Sequence, residues 1–561
     1  MFRVIFFGTL LLVAPALATG QEQQLAPLPP ALPRTHTPRP TTAAITAADL
    51  MTRLYIFADD SMQGRKAGSR GNAKGTVYLA AEARRIGLKP AGDNGTYFQN
   101  LPDTSYFPVV LDASLRIGKS PLALVRDFLP IGTHSLHARA LAVVYGGRTD
   151  APLTLTPAQT AGKLVVFTMP APIAIQLGQV HSNPTADSFS VPQVVGAAAV
   201  GLVALDAMTQ SQRDMIFDMN MELHQQPDRP VLLLGSAAAK RLFGKELDAI
   251  QAGAAGKIVS VAYTFISSMR NVVAILPGSD PVLRNEYVAL GSHNDHVGFR
   301  KDLPNREHDS LRVYQHFVGG VYGCVIYGHC VTVTPGLMDT INAEIAKLRR
   351  VSPPRRDSIA NGADDNGSGC VSMLEIAEQL AAMPVKPKRS IIFVWHENEE
   401  GPASGSALFV KHPTVPFNSI VVELDADMIG RGDASDILGG GPNYLEMADS
   451  RMASTELGDL IDRVNQEDHH NFLIDYATGA NFAGHSDDGN YTAAGIPTAF
   501  FFTGVHPDIH AMTDEPEYID YPKMARVASF ISDVAVHVAN LDHRLVIDHP
   551  LPPSGSHEPG H

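Results

Sequence analysis

From Asn271 onward the chain alternates unbroken apolar runs with helical segments. Val288-Ala289-Leu290-Gly291, Ile391 to Trp395 and Ile420-Val421-Val422 contain no charged or hydrogen-bonding side chain apart from the Trp395 indole. Strands of that kind must be covered on both faces. This half of the chain is therefore confined to an α/β fold, with a mixed, mostly parallel central sheet and helices on both faces. A polar cluster follows each run: His293-Asn294-Asp295, then Glu399-Glu400, then Asp427. Open α/β sheets gather such residues beyond the carboxyl ends of their strands, so the fold class alone predicts one shared site.

Upstream the texture differs. Between about 128 and 266, β-branched runs such as Leu141 to Tyr145 and Lys163 to Phe167 are separated by Pro, Gly and Asp, the pattern of a β-rich unit without catalytic clusters. Within it, Val194 to Leu205 suits a small-residue helix turning into a buried strand. Ala48 to Leu54 and Ala73 to Ile86 have helical spacing, the second ending near Gly87. Residues 19–44, rich in Pro, Thr, Gln and Ala, read as an extended, poorly ordered leader, and 546–561 as a disordered tail. Residues 1–18, with Arg3, an apolar run from Val4 to Val13 and Ala16-Leu17-Ala18, read as a secretory signal peptide, which predicts a periplasmic or extracellular protein.

At 561 residues the chain exceeds what one core supports, so two domains are expected. A net charge of −14, with basic runs no longer than Lys347 to Arg350, argues against nucleic acid, whose phosphates need a basic stripe. No later segment offers the roughly 20 continuous apolar residues of a membrane span. Three cysteines are too few for a disulfide scaffold. Cys324 and Cys330 can bridge a small loop or stay free, and Cys370 reads as a core residue.

With Asp364-Asp365-Asn366 and His510 added, the polar clusters form an ordered series rich in metal-binding groups that reads as a two-zinc hydrolase site. Residues two apart in an extended segment point the same way, so Asp295 can accept the second ring N–H of His293 and fix its tautomer. Small residues from Gly362 to Gly369 let the backbone turn and present Asp365 as a carboxylate able to bridge two ions. Of Glu399 and Glu400, one can ligate while the other takes a proton from water. Asp427 and His510 complete an inventory in which each zinc receives one His, one terminal carboxylate and a share of Asp365. Three carboxylates against two Zn²⁺ leave about +1, enough to lower the pKa of a water held there. The histidines favour zinc over magnesium or calcium.

This pattern resembles the co-catalytic di-zinc aminopeptidases of clan MH, typified by bacterial leucyl aminopeptidase and aminopeptidase Y, from about Leu50 to Val538. Supporting phrases are Asp60 to Arg65, Gly87 to Gly92, Gly95 to Gln99, and Ala494 to Pro497 followed by Phe500 to Gly504. The resemblance implies zinc ligation by His293, Asp365, Glu400, Asp427 and His510, with Asp365 bridging. It makes Glu399 the general base, Asp295 the residue orienting His293, and Asn366 the residue following Asp365 across a strained peptide bond. It also implies a zinc-peptidase domain over 45–127 and 267–545, interrupted by a protease-associated insert domain over 128–266. The implied reaction removes the N-terminal residue from peptides with a free amine.

His510 is preferred to His506 because the family ligand is followed four positions on by an Asp, here Asp514. Asp365 is preferred to Asp364 by its small-residue frame, and His485 and Asp487 lie at most behind the ligands. The stretch between His293 and Asp365 is longer than in the family. The extra chain, about 300–355, takes in Val321 to Cys330 and a helix-like Met338 to Arg350. It can narrow the cleft, make an oligomer contact, or be a plain surface excursion. Alternative readings are a carboxypeptidase or dipeptidase of the same fold, a single-zinc acyltransferase of the glutaminyl cyclase type, and a non-catalytic binding ectodomain. Retention of both His293 and Asp427 weighs against the single-zinc form, and the intact ligands and Glu399 weigh against a binding module.

Overall fold

Strand alternation sorts the core into layers. In the strands Tyr287–His293 and Ser390–His396, Val288, Leu290, Ile391, Phe393 and Trp395 enter a large cluster with Leu50, Phe57, Leu374 and Phe530. Ala289, Ile392 and Val394 turn the other way, toward Phe409 and Tyr491. The structure, a computed structural model, describes residues 25–102, 108–169, 194–219, 228–300, 307–320 and 331–549. Helices Ala47–Phe57, Arg70–Ile86, Gly369–Ala382 and Tyr521–Asn540 cover the first face, and Ser404–Lys411 and Asp488–Ala493 the second. The α/β sheet with helices on both faces, expected from the apolar runs, is the fold that forms.

Among the described residues the main sheet has nine strands. Its path runs Lys89–Pro90, Arg270–Leu276, Ser390–His396, Tyr287–His293, Ile420–Ala426, Thr498–Phe502, Tyr444–Ala448 and Leu473–Asp475, and Phe98–Asn100 also pairs with Arg270–Leu276. The four strands from Ser390–His396 to Thr498–Phe502 are mutually parallel, so their carboxyl ends coincide. Helix Arg70–Ile86 begins before the expected Ala73 because Ser69 caps it, accepting from the Asn72 amide, and it ends where Gly87 takes a left-handed φ of 94°.

Two smaller sheets form a second unit. One pairs Val109–Ile117 with Val259–Ile266, so the unit takes in chain ahead of position 128. The other runs Phe128–Ile131, Val231–Leu234, Ala199–Val203, Leu164–Thr168, Val143–Arg148. The helix expected ahead of the strand in Val194 to Leu205 is a turn instead, with Gly196 at φ 71°, and only Ala199–Val203 is regular.

Residues 25–44 contain no helix or strand, yet they are tied to the main domain rather than loose. The Leu32 amide donates to the Glu517 carbonyl at 2.9 Å, the Tyr55 hydroxyl to the Pro33 carbonyl at 2.6 Å, and Arg34 to Asp309 at 3.3 Å. Proline lowers the entropy lost on fixing such a segment, which is why a sequence with leader composition can be held by a few bonds. Residues 1–18, the Cys324 and Cys330 pair, and the tail from 550 lie outside the described residues. Among the described residues no helix is long and apolar enough to cross a membrane.

Candidate metal centre

The ends of four strands and the segments following them meet at the carboxyl edge of the parallel strands. His293 is the last residue of its strand, Glu399 and Glu400 follow Ser390–His396, Asp427 follows Ile420–Ala426, and His510 lies in the loop after Thr498–Phe502. Asp365 comes from the turn that opens helix Gly369–Ala382, and its peptide bond to Asn366 is cis. Asn366 caps that helix through Gly369 N and donates to the Ala426 carbonyl at 2.9 Å, tying the turn to the strand that leads to Asp427. Arg65, fully buried, donates to the carbonyls of Asn294, Asn361 and Gly362 at 3.2, 2.7 and 2.8 Å, which accounts for the Asp60 to Arg65 phrase.

Asp365 sits between two groups. Its Oδ1 is 3.3 Å from His293 Nε2, which in turn lies 3.4 Å from Asp427 Oδ1 and 3.7 Å from Glu399 Oε2. Its Oδ2 is 3.0 Å from His510 Nε2, itself 2.9 Å from Glu400 Oε2. Two sets of ligand atoms close enough to hold an ion therefore share Asp365: His293, Asp365 and Asp427 on one side, and His296, Asp365, Glu400 and His510 on the other. His293 Nε2 and Asp427 Oδ1, both facing the cluster, are buried without a hydrogen bond. Orphaned buried polar atoms are costly, and this mixed nitrogen and carboxylate set fits zinc.

The two close choices separate spatially. Asp364 and His506 pair with each other at 3.3 Å, and Asp364 also accepts from Gly430 N at 2.7 Å. Asp514 accepts from the amides of Asp364 and Asp365 at 3.0 and 3.1 Å, holding the turn against the His510 loop. His485 is exposed, and Ser486 donates to Asp427 Oδ2 at 3.2 Å. Asp295 acts differently from the expected alternation. The strand ends at His293, so the Asp295 carboxylate lies 3.7 Å from His293 Nδ1, and the ring N–H meets the Asp295 backbone carbonyl at 3.3 Å instead. That contact still leaves Nε2 as the lone pair facing the cluster. The carboxylate accepts the Glu399 amide at 3.1 Å, fixing the loop that carries both glutamates.

Glu399 and Glu400 are driven apart electrostatically. Burial, reinforced by Asp427 and Glu400 against the pull of His293, holds Glu399 well above the usual carboxylate range. Burial and Asp365 act in the same upward sense on Glu400, but His510 and His296 outweigh them and draw it down to about 2. Two neighbouring carboxyls with opposed environments suit opposed roles, Glu399 with the raised proton affinity of a base and Glu400 staying ionised as a ligand. The Glu399 side chain is 17% exposed and that of His510 23%, against 0% for His293, so the site opens toward Glu399 and His510.

Sequence reasoning missed His296 and a buried acidic row. His296 Nδ1 contacts Glu400 Oε1 at 2.6 Å and lies 3.6 Å from Asp365 Oδ2. Its position three residues after His293 was the available signal. Replacing it with Ala should weaken zinc binding on the His510 side about 10- to 100-fold, read by chelator competition. Glu423 and Asp425 alternate with Asp427 and point to the same face of the sheet. Gly291 makes room for them, since a Cβ there would lie 2.3 Å from Glu423 Oε1. Burial, then Asp427, pushes Asp425 up to about 7.

Residues 271–535 match the model of peptidase family M28. The probable leucine aminopeptidase of Trichophyton verrucosum (strain HKI 0517) is 25% identical over 217 residues, 37% of this chain and 56% of that protein. The probable leucine aminopeptidase of Arthroderma benhamiae (strain ATCC MYA-4681 / CBS 112371) matches to the same extent. The chain thus spans a little over half the length of these curated relatives. Among solved structures, a zinc aminopeptidase from Bacillus subtilis aligns over 88% of this chain and 95% of its own, at 14% identity and a TM-score of 0.40. The family match, a little under half of the chain, takes in His293, His296, Asp365, Glu400, Asp427 and His510, so the part of the chain that builds the candidate metal centre is the part similar to the peptidases of family M28.

Proposed function

We propose that the chain is an exported di-zinc aminopeptidase that removes the N-terminal residue of peptides. The observation that carries this is Asp365, whose two oxygens face two separate sets of ligand atoms. The ligands in this reading are His293, Asp365 and Asp427 on one side and Asp365, Glu400 and His510 on the other. Zinc, when bound, polarises the scissile carbonyl and acidifies water. Glu399, kept off the ligand set and reaching the open side, takes the proton from the attacking water and returns it to the leaving amine. Asp295 positions Glu399 through its backbone amide. An apolar N-terminal residue is in keeping with the relatives' name, leucine aminopeptidase.

The second unit belongs to the same proposal, as a protease-associated insert beside the site. Asp218 on its helix Gln210–Met219 accepts from Gln63 at 2.9 Å, two residues from Arg65. The test is zinc content together with cleavage of free and N-blocked aminoacyl chromogenic amides, before and after chelation. Two zincs per chain and chelator-sensitive cleavage that needs the free amine are expected. Hydrolysis of N-blocked dipeptides with a free carboxylate in place of the amides would favour the carboxypeptidase reading, hydrolysis of free dipeptides alone the dipeptidase reading, and one zinc without cleavage the acyltransferase.

Zinc loading should also release protons. Burial opposes the charged ring of His510, but Glu400 and Asp365 outweigh it and push His510 up to about 12. Burial opposes the charged ring of His293 too, but Asp427 and Glu399 outweigh it and hold His293 well above the usual imidazole range. Zinc takes the neutral rings, so at pH 7 loading should free on the order of two protons per chain, and affinity should rise with pH. Calorimetry in buffers of different ionisation enthalpy reads this directly, and loading without proton release would contradict it.

A further inference from the structure

The described residues of the chain inserted between His293 and Asp365 pack against the metal-centre domain. Its helix His308–Val318, capped by Glu307, buries Leu311, Arg312 and Gln315. That face meets the loop from Gly504 to Asp514, which carries His510. Arg312 Nε lies 3.5 Å from Asp508 Oδ2, and its guanidinium covers the Tyr518 ring at 3.7 Å. The Thr513 hydroxyl sits between Gln315 Oε1 at 3.0 Å and Asp508 Oδ1 at 2.7 Å. After the helix, Gly320 comes so close that a Cβ on it would lie 2.5 Å from the Pro507 carbonyl oxygen. At the start of the insertion, Arg300 donates to the His510 carbonyl itself.

His510 needs such support. Its φ is 54°, in the left-handed region that a non-glycine residue adopts only when its surroundings hold it there. Asp508, two residues before it, is the node of the loop, since it also pairs with buried Arg431 at 3.1 Å. A ligand in a strained conformation is set by the partners that fix its loop, and such partners commonly govern metal affinity.

We propose that this insertion is a built-in brace for the metal-ligand loop, with Arg312 and Gln315 as positioning residues that set His510 and so the affinity of the zinc on its side. The inference rests on the two-zinc reading above. It gives the insertion a defined role, in place of narrowing the cleft or joining subunits.

The double variant Arg312→Met, Gln315→Ala tests it against Lys347→Ala, a change in the same insertion at a 62% exposed side chain that pairs with Glu344. The first measurement is amide hydrogen exchange on metal-free full-length protein. Residues 504–514 should exchange about tenfold faster or more in the double variant, with 287–293 unchanged. The second is a zinc titration, in which one of the two sites should weaken about 10- to 100-fold and the other hold. Unchanged exchange in the loop, or equal weakening of both sites, would overturn the brace. If the wild-type protein binds fewer than two zincs, the functional reading fails, and the exchange result alone decides whether the insertion holds the loop.

Discussion

Replacing Glu399 with Gln is expected to lower turnover about 10²- to 10⁴-fold while two zincs stay bound, the loss typical of removing a general base. The substitution keeps the shape and removes the proton acceptor. Its amide hydrogen bond to Asp295 is made by the backbone, so the loop should stay in place. Glu399 is also the more exposed of the two glutamates and the one held above the usual carboxylate range, whereas Glu400 faces His510 and His296. Turnover and metal content measured on the same preparation decide it. Near-normal turnover with two zincs bound would move the proton transfer to another group, and loss of zinc would make Glu399 a ligand.

Asp365→Ala should abolish tight binding at both sites together. Its two oxygens each serve one group, so the loss at each site should exceed the roughly 10- to 100-fold cost of losing an outer partner of a ligand. Asp427→Ala makes the contrast, because Asp427 belongs to the His293 side alone and should cost one zinc. The pair separates a shared ligand from a terminal one. If Asp365→Ala and Asp427→Ala each leave one tight site, the bridging geometry is wrong. Thermal unfolding of the metal-free variants guards against misfolding, and both should unfold close to the metal-free parent.

Much of this arrangement is legible in the sequence. Val288 to Gly291, Ile391 to Trp395 and Ile420 to Val422 are apolar on both sides of the strand period, and such strands have few ways to be buried other than between two helical layers. The polar residues placed just past them could then gather only at one edge. The small residues around Asp365 led to one of the two close choices and the family resemblance, whose ligand is followed four positions on by an Asp, to the other; Asp364 and His506 lie 3.3 Å from each other.

Other features depend on contacts that no local pattern records. Asp295 shows the limit: alternation predicts that its side chain meets His293, but the strand stops at His293 and the carboxylate turns to the Glu399 amide 104 residues away in sequence. Gly196 in a left-handed turn displaced an expected helix, and proline-rich residues 25–44 are ordered by partners such as Glu517 that lie far along the chain. His296, Glu423 and Asp425 take their meaning from neighbours on other strands. The sequence determined the layer pattern and the set of chemical groups, because periodicity and residue type are local properties. Tertiary structure alone decided which carboxylate faces which imidazole, and that the insertion at 300–355 meets the His510 loop, because those distances are fixed by packing between elements remote in the chain.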